Sequence, residues 1–157
     1  MPREELDRID GKILAELQND ARQSNVELAK RVGLSPSPCL ARVRALEKSG
    51  VIDRYVALVN PDRVGLGVSV FIQVTLERQV ERALEAFEAR MHAFPEVMEC
   101  YLMTGDSDYL VRILVRDNAE VERFIVQKIS TIEGVANIKS SFALKQVKYK
   151  TEVSMAS

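Results

Sequence analysis

Two short helices with almost nothing between them constrain this chain more than any other stretch. Residues 24–50 read S-N-V-E-L-A-K-R-V-G-L-S-P-S-P-C-L-A-R-V-R-A-L-E-K-S-G. Ser24 and Glu27 have the spacing of a capping box, in which each residue satisfies the other's end of a helix start. Leu28, Ala29 and Val32 then face inward, and Gly33 stops the helix. Only Leu34 separates that glycine from Ser35, an expected N-cap whose hydroxyl accepts from an orphaned backbone N–H. Pro36 suits the first helical position, where no N–H is needed. Gly50 can take the left-handed conformation that ends helices, with Lys48 complementing the dipole. Upstream, Asp7 caps a further helix whose Ile9, Ile13, Leu14 and Leu17 fall at helical spacing, and Asn19-Asp20 marks its turn. Two short helices across a tight glycine turn, the second basic, form a helix-turn-helix. An ordinary helical hairpin is the alternative that spacing alone leaves open.

The second helix has two unlike sides. Cys39, Val43 and Leu46 make a narrow apolar stripe at three- and four-residue spacing. The other side carries Ser37, Ala41, Arg42, Arg44 and Lys48, small or basic with no acid among them. A helix that begins with hydroxyls and shows cations outward can enter a DNA major groove, where a solvated basic face is the bland reading. The expected DNA-facing set is Ser35, Ser37, Pro38, Ala41, Arg42, Arg44 and Lys48, with double-stranded DNA as partner. Net charge is −1, so no global field draws the chain to nucleic acid. Residues 22–57 nevertheless carry seven cations against three acids, +4 locally, leaving −5 for the remainder. A focused patch of that kind can supply phosphate contacts.

Beyond Gly50 the period changes. Val51 to Val59 is rich in β-branched residues and predicts a strand, broken by Asn60-Pro61-Asp62 and followed by Gly65-Leu66-Gly67. The expected organisation is residues 1–50 for the helix-turn-helix, 51–65 for a strand linker, 66–150 for a second domain and 151–157 for a tail. From Val68 the chain reads strand, helix, strand, then a turn at Gly105-Asp106-Ser107-Asp108, then strand, helix, strand. The helix-to-strand join even repeats loosely, Phe94-Pro95-Glu96-Val97 against Ile132-Glu133-Gly134-Val135. The expected fold class is α+β, with the second domain a ferredoxin-like βαββαβ sheet carrying both helices on one face. Phe71, Tyr101, Met103 and Phe142 are placed on the other face, which predicts self-association.

Catalysis finds little support. The single histidine, His92, sits on a charged amphipathic helix with no ligand-spaced cysteines or carboxylates, and Gly65-x-Gly67 reads as linker rather than phosphate loop. Cys39 and Cys100 lie in apolar-periodic segments and read as reduced core thiols, with neither a zinc site nor a disulfide between them. No N-terminal signal or apolar run of membrane length appears, so the expected place is the cytoplasm, with no membrane partner. Asp106-Ser107-Asp108 admits three readings: a metal or acid–base pair, a self-satisfied hairpin turn, or a site for a small zwitterion. The last needs an anion for the ammonium and exposed N–H groups for the carboxylate, and Thr104-Gly105-Asp106-Ser107-Asp108 offers both beside apolar Met103 and Leu110.

The runs S-N-V-E-L-A-K-R-V-G-L-S-P-S-P-C-L-A-R-V-R-A-L-E, G-V-I-D-R-Y-V-A-L-V-N-P and C-Y-L-M-T-G-D-S-D-Y-L-V, in that order, resemble the leucine-responsive regulatory protein/AsnC (feast/famine) transcription regulators. The likeness extends from about Leu6 to Lys148. It implies an N-terminal, winged-helix-like DNA-binding domain and a C-terminal domain that dimerises through its sheet, with assembly to octamers. It also implies an effector amino acid, leucine or another apolar one, held between subunits, and no other cofactor. Carried over by position, the effector residues are Tyr101, Met103, Thr104, Gly105, Asp106 and Asp108. A DNA-architectural oligomer without effector and an amino-acid-regulated enzyme subunit are the rival functions.

Overall fold

The computed structural model describes residues 5–155. It divides into two compact units, Met1–Leu58 together with Lys148–Ser157, and Val59–Val147.

The first unit holds three helices, α1 (Arg8–Asn19), α2 (Asn25–Val32) and α3 (Pro36–Lys48). The starts of α1 and α2 follow the local chemistry. Asp7 and Asp10 form a reciprocal capping box at α1, and Ser24 accepts from the Glu27 N–H at α2. Gly33 ends α2 at φ 78°, a left-handed conformation that a side chain would strain. Ser35 occupies the N-cap position of α3, but its hydroxyl makes no cap hydrogen bond, contrary to expectation. Pro38 stands at the third helical position, so one of the two N–H groups such a cap normally meets does not exist. Ile13, Leu14, Leu28, Ala29, Val32, Cys39 and Leu46 form the buried core. The residues expected as a tail return to this unit: the Val153 N–H donates to Gln18 Oε1 at 2.7 Å, and Met155 packs against the core.

Residues 53–59 belong to no strand or helix. Their β-branched character is what the sequence indicated, but a strand needs a ladder partner and none occurs among the described residues. Val56, Leu58 and Val59 are accordingly exposed. Two local bonds hold the segment's root, Ile52 N–H to the Leu46 carbonyl at 3.0 Å and the Tyr55 hydroxyl to Glu47 Oε1 at 2.8 Å.

The second unit is the expected ferredoxin-like fold. Strands β1 (Val68–Leu76), β2 (Val97–Leu102), β3 (Tyr109–Val115) and β4 (Val135–Phe142) form an antiparallel sheet in the order β2-β3-β1-β4. Helix α4 (Glu81–Ala93) connects β1 to β2. Helix α5 (Asn118–Arg123), capped by Asp117, runs on through a π-helical turn and a 3-10 turn toward β4. Alternation sorts the sheet's two faces. Val70, Ile72, Val74 and Leu76 with Tyr109, Val111, Ile113 and Val115 are buried together with Phe87, Met91, Phe124 and Ile129 from the helical segments. Phe71, Gln73 and Thr75 point to the open face. Phe142 pairs with inward-facing Val70 and so lies on the helix side, not on the open face where the sequence placed it. Strand β4 also ends at Phe142, leaving Leu144 and Val147 exposed beyond it.

Candidate functional site

The outward side of α3 is set by its buried side. Cys39 and Leu46 are buried and Val43 half-buried, so Ser37, Ala41, Arg44 and Lys48, at i, i+4, i+7 and i+11, fall opposite and are exposed. Ser35 and Pro38 are exposed at the helix start. The Asn25 side chain donates to the Pro36 carbonyl at 2.8 Å and ties the beginning of α2 to the beginning of α3. Arg44 and Lys48 have no ion-pair partner among the described residues. Arg42 differs. Three residues after Cys39 and four before Leu46, it lies on the flank of the buried stripe, and its guanidinium Nη1 donates to Asp7 Oδ2 at 2.6 Å and Asp10 Oδ1 at 3.0 Å. Hydrogen bonds from the Asp10 N–H and then Arg42 hold the Asp7 carboxyl below its ordinary pKa. Six of the seven expected residues thus share the exposed surface of α3, and Arg42 turns away to α1.

The second unit carries a cavity of about 300 Å³ on the open sheet face. Cross-strand register aligns Tyr101, Leu110, Gln73 and Lys139 in one row across all four strands, with Thr75 beside Asn137 in the next. The cavity lies over Leu110, Gln73, Lys139, Thr75 and Asn137, and the β2–β3 turn closes it with Met103, Thr104, Asp106 and Ser107. Strand order puts the turn, with Asp106, on one side and Lys139 of the edge strand on the other. Such a site has an anion, a cation, amide and hydroxyl groups and two apolar walls: the chemistry a free amino acid requires.

Of the residues expected here, Met103, Thr104 and Asp106 line the cavity. Gly105 does not, although its φ of 114° explains why the turn needs glycine. Tyr101 sits at the end of the same row, its hydroxyl donating to Glu99 Oε1 at 2.8 Å. Asp108 is only 4% exposed and faces the fold. Its Oδ2 accepts from the buried Leu76 N–H at 2.7 Å and its Oδ1 from the Gln79 side chain. Sequence reasoning missed Gln73, Thr75, Asn137 and Lys139. Polar residues alternating along β1 and β4 were the available signal; the register that joins them was not.

The remaining polar groups have structural partners. Arg112 pairs with Glu99 in the middle of the open face, which, with Tyr101, lowers the Glu99 pKa. The Tyr109 hydroxyl donates to Glu88 Oε1 at 2.6 Å, and burial and that carboxylate push its pKa far up. A second cavity of about 350 Å³ lies between α4 and β2, against Glu88, His92, Met98 and Cys100. Among the described residues, no three histidines, cysteines or carboxylates are grouped to hold a metal ion. No described helix is long and apolar enough to cross a membrane.

Comparison with known proteins places both units. The family model of the Lrp/AsnC ligand binding domain matches residues 69–153, and that of a winged helix-turn-helix DNA-binding domain matches residues 6–53. The chain belongs to the Lrp/AsnC family of transcription regulators. It is 48% identical over 143 residues to the Bkd operon transcriptional regulator of Pseudomonas aeruginosa, covering 91% of this chain and 94% of that protein. To the leucine-responsive regulatory protein of Salmonella typhimurium it is 43% identical, covering 94% and 90%. Among solved structures, a transcriptional regulator of Neisseria meningitidis in complex with L-Met superposes with TM-score 0.90 at 41% identity, covering 95% and 96%. As a Lrp/AsnC regulator the chain binds DNA through its helix-turn-helix and carries an amino-acid-binding C-terminal domain; it is not an enzyme.

Proposed function

We propose that this regulator reads DNA with the exposed face of α3 and senses a free apolar amino acid, leucine or methionine foremost, in the cavity on its C-terminal sheet. The cavity carries the reading: Asp106 and Lys139 stand on opposite sides of a floor that includes apolar Leu110. Asp106 suits the ligand's ammonium, Lys139 its carboxylate, and Met103 and Leu110 its side chain. About 300 Å³ is at the small end of ligand sites, which run roughly 300–1,000 Å³. The L-Met complex of the Neisseria relative supports the choice of ligand class.

The working form is a homodimer that assembles further, to an octamer, with the effector held between subunits. Phe71, Tyr101, Leu110 and Leu114 give the open face apolar area to bury against a second copy, and the β-branched segment 53–59 adds exposed Val56, Leu58 and Val59. Two-fold symmetry then calls for inverted DNA half-sites about 10 base pairs apart or multiples of that. The effector acts by its difference in affinity between assembly states, which changes how the paired reading helices are presented. Binding to chromosomal DNA places the protein in the cytoplasm.

Calorimetric titration of each protein amino acid into the full chain tests this. An apolar amino acid should bind, and Asp106→Asn and Lys139→Ala should each weaken it about tenfold or more, the worth of one charge-assisted hydrogen bond. Binding unchanged in both variants would refute the cavity as the effector site. Binding of none would favour a purely architectural oligomer.

A further inference from the structure

Arg42 is the cation of α3 that this fold treats differently. Its side chain is 33% exposed, and its two partners, Asp7 and Asp10, are already at work as the capping box of α1. The oxygens divide without conflict. Asp7 Oδ1 accepts from the Asp10 N–H at 2.8 Å and Asp10 Oδ2 from the Asp7 N–H at 3.2 Å, while Asp7 Oδ2 and Asp10 Oδ1 take Arg42. All four carboxylate oxygens are used, and the network closes the start of α1 onto the middle of α3. Asn25 holds the beginning of α3 to α2 from the other direction. With one helix fastened at its end and the other at its side, rotation of α3 about its own axis is fixed by these polar bonds as well as by Cys39 and Leu46.

We propose that Arg42 is a positioning residue for DNA recognition: by locking the Asp7–Asp10 capping box to α3, it sets the rotation that presents Ser37, Ala41, Arg44 and Lys48 to the groove. The inference rests on α3 being the DNA-facing helix. One guanidinium nitrogen, Nη1, donates to both carboxylates, and the planar delocalised group holds its two N–H directions fixed, which a freely rotating lysine ammonium does not.

A positioning role and a direct DNA contact predict opposite signs when the acids are neutralised. If Arg42 contacts phosphate, Asp7→Asn with Asp10→Asn frees it and removes nearby negative charge, so DNA binds more tightly. If Arg42 positions α3, the same variant binds specific DNA more weakly. Asparagine can still cap α1, which keeps the helix start.

The test uses the full chain and a duplex selected by it from a random-sequence pool, with affinity followed by fluorescence anisotropy over a range of salt. Arg42→Ala and the Asp7→Asn/Asp10→Asn variant are each expected to lose about three- to thirty-fold in affinity, the triple variant to lose no more than either, and the salt slope to stay unchanged. Arg44→Ala, the comparison, should flatten that slope by about 0.9. Tighter binding by the acid variant, multiplying losses in the triple variant, or a slope flattened by Arg42→Ala would overturn the proposal. Should Arg42→Ala fail to fold, Arg42→Lys takes its place: intermediate affinity with an unchanged slope is expected, and wild-type affinity would count against it. If Arg44→Ala and Lys48→Ala leave affinity and slope unchanged, α3 is not the reading helix and the proposal falls with that reading.

Discussion

Asp108 gives the sharpest test of how the sheet end is built. Replacing it with alanine removes the acceptor of the Leu76 N–H and of the Gln79 amide. Gln79 is exposed and rehydrates, so its loss costs little. Leu76 is buried, and its N–H is left without a partner at the last residue of β1. Hydrogen bonds to charged groups contribute about 1.5–3 kcal/mol, and an orphaned buried donor costs about 1–3 kcal/mol; these describe one loss and do not add. Release of the carboxylate from its own buried position offsets part of it. The net expectation is a destabilisation of about 1–2 kcal/mol, or roughly 5–15 °C in the melting of a unit of this size. Asp108→Asn keeps an acceptor for Leu76 and should cost about 1 kcal/mol. Scanning calorimetry of the full chain reads the shift, and amide exchange at Leu76 reads its place. Unchanged melting with amino-acid binding abolished would refute the reasoning and give Asp108 to the ligand.

Three further outcomes follow from local geometry. Burial, with help from Glu88, pushes the Cys100 thiol up to about 11, so its alkylation rate should keep rising with pH toward that value instead of levelling near 9, as mass spectrometry of the labelled chain would report. The Glu99 pKa is lowered by Arg112 and Tyr101, so its contribution to stability is present above the ordinary glutamate pKa and lost as pH falls through the lowered one. Urea titrations should therefore separate wild type from Glu99→Gln at neutral pH and bring them together in strong acid. Gly33→Ala adds a Cβ that meets nothing within 4 Å but sits at φ 78°, so only conformational strain of about 1–2 kcal/mol should appear in the unfolding of the helical unit.

Features written within a few residues were legible in the sequence. Asp7 and Ser24 cap the helices assigned to them, and Gly33 ends α2, because caps depend on neighbours in the chain. Ser35 failed as a hydrogen-bonding cap for an equally local reason, the missing N–H of Pro38. Arg42 stood at the flank of the Cys39–Leu46 stripe, where a long side chain can turn outward or along the helix, and only the position of α1 decides. The strand expected at 51–59 has the right residues but no partner within the described chain. The cavity was half legible. Its turn is continuous in sequence, whereas Gln73 and Lys139 meet only through the β1–β4 register. Which of Asp106 and Asp108 lines the cavity depends on where Leu76 ends β1, a tertiary fact.

The most direct test of the sheet-face cavity as the effector site is a crystal structure of the full chain grown with the amino acid that calorimetry selects. Ligand density is expected over Leu110 and Gln73, its ammonium at Asp106 and its carboxylate at Lys139, with Asp108 still bonded to the Leu76 N–H. Density in the cavity between α4 and β2 instead, against Glu88 and Met98, or ligand bound with the sheet-face cavity left empty, would contradict it.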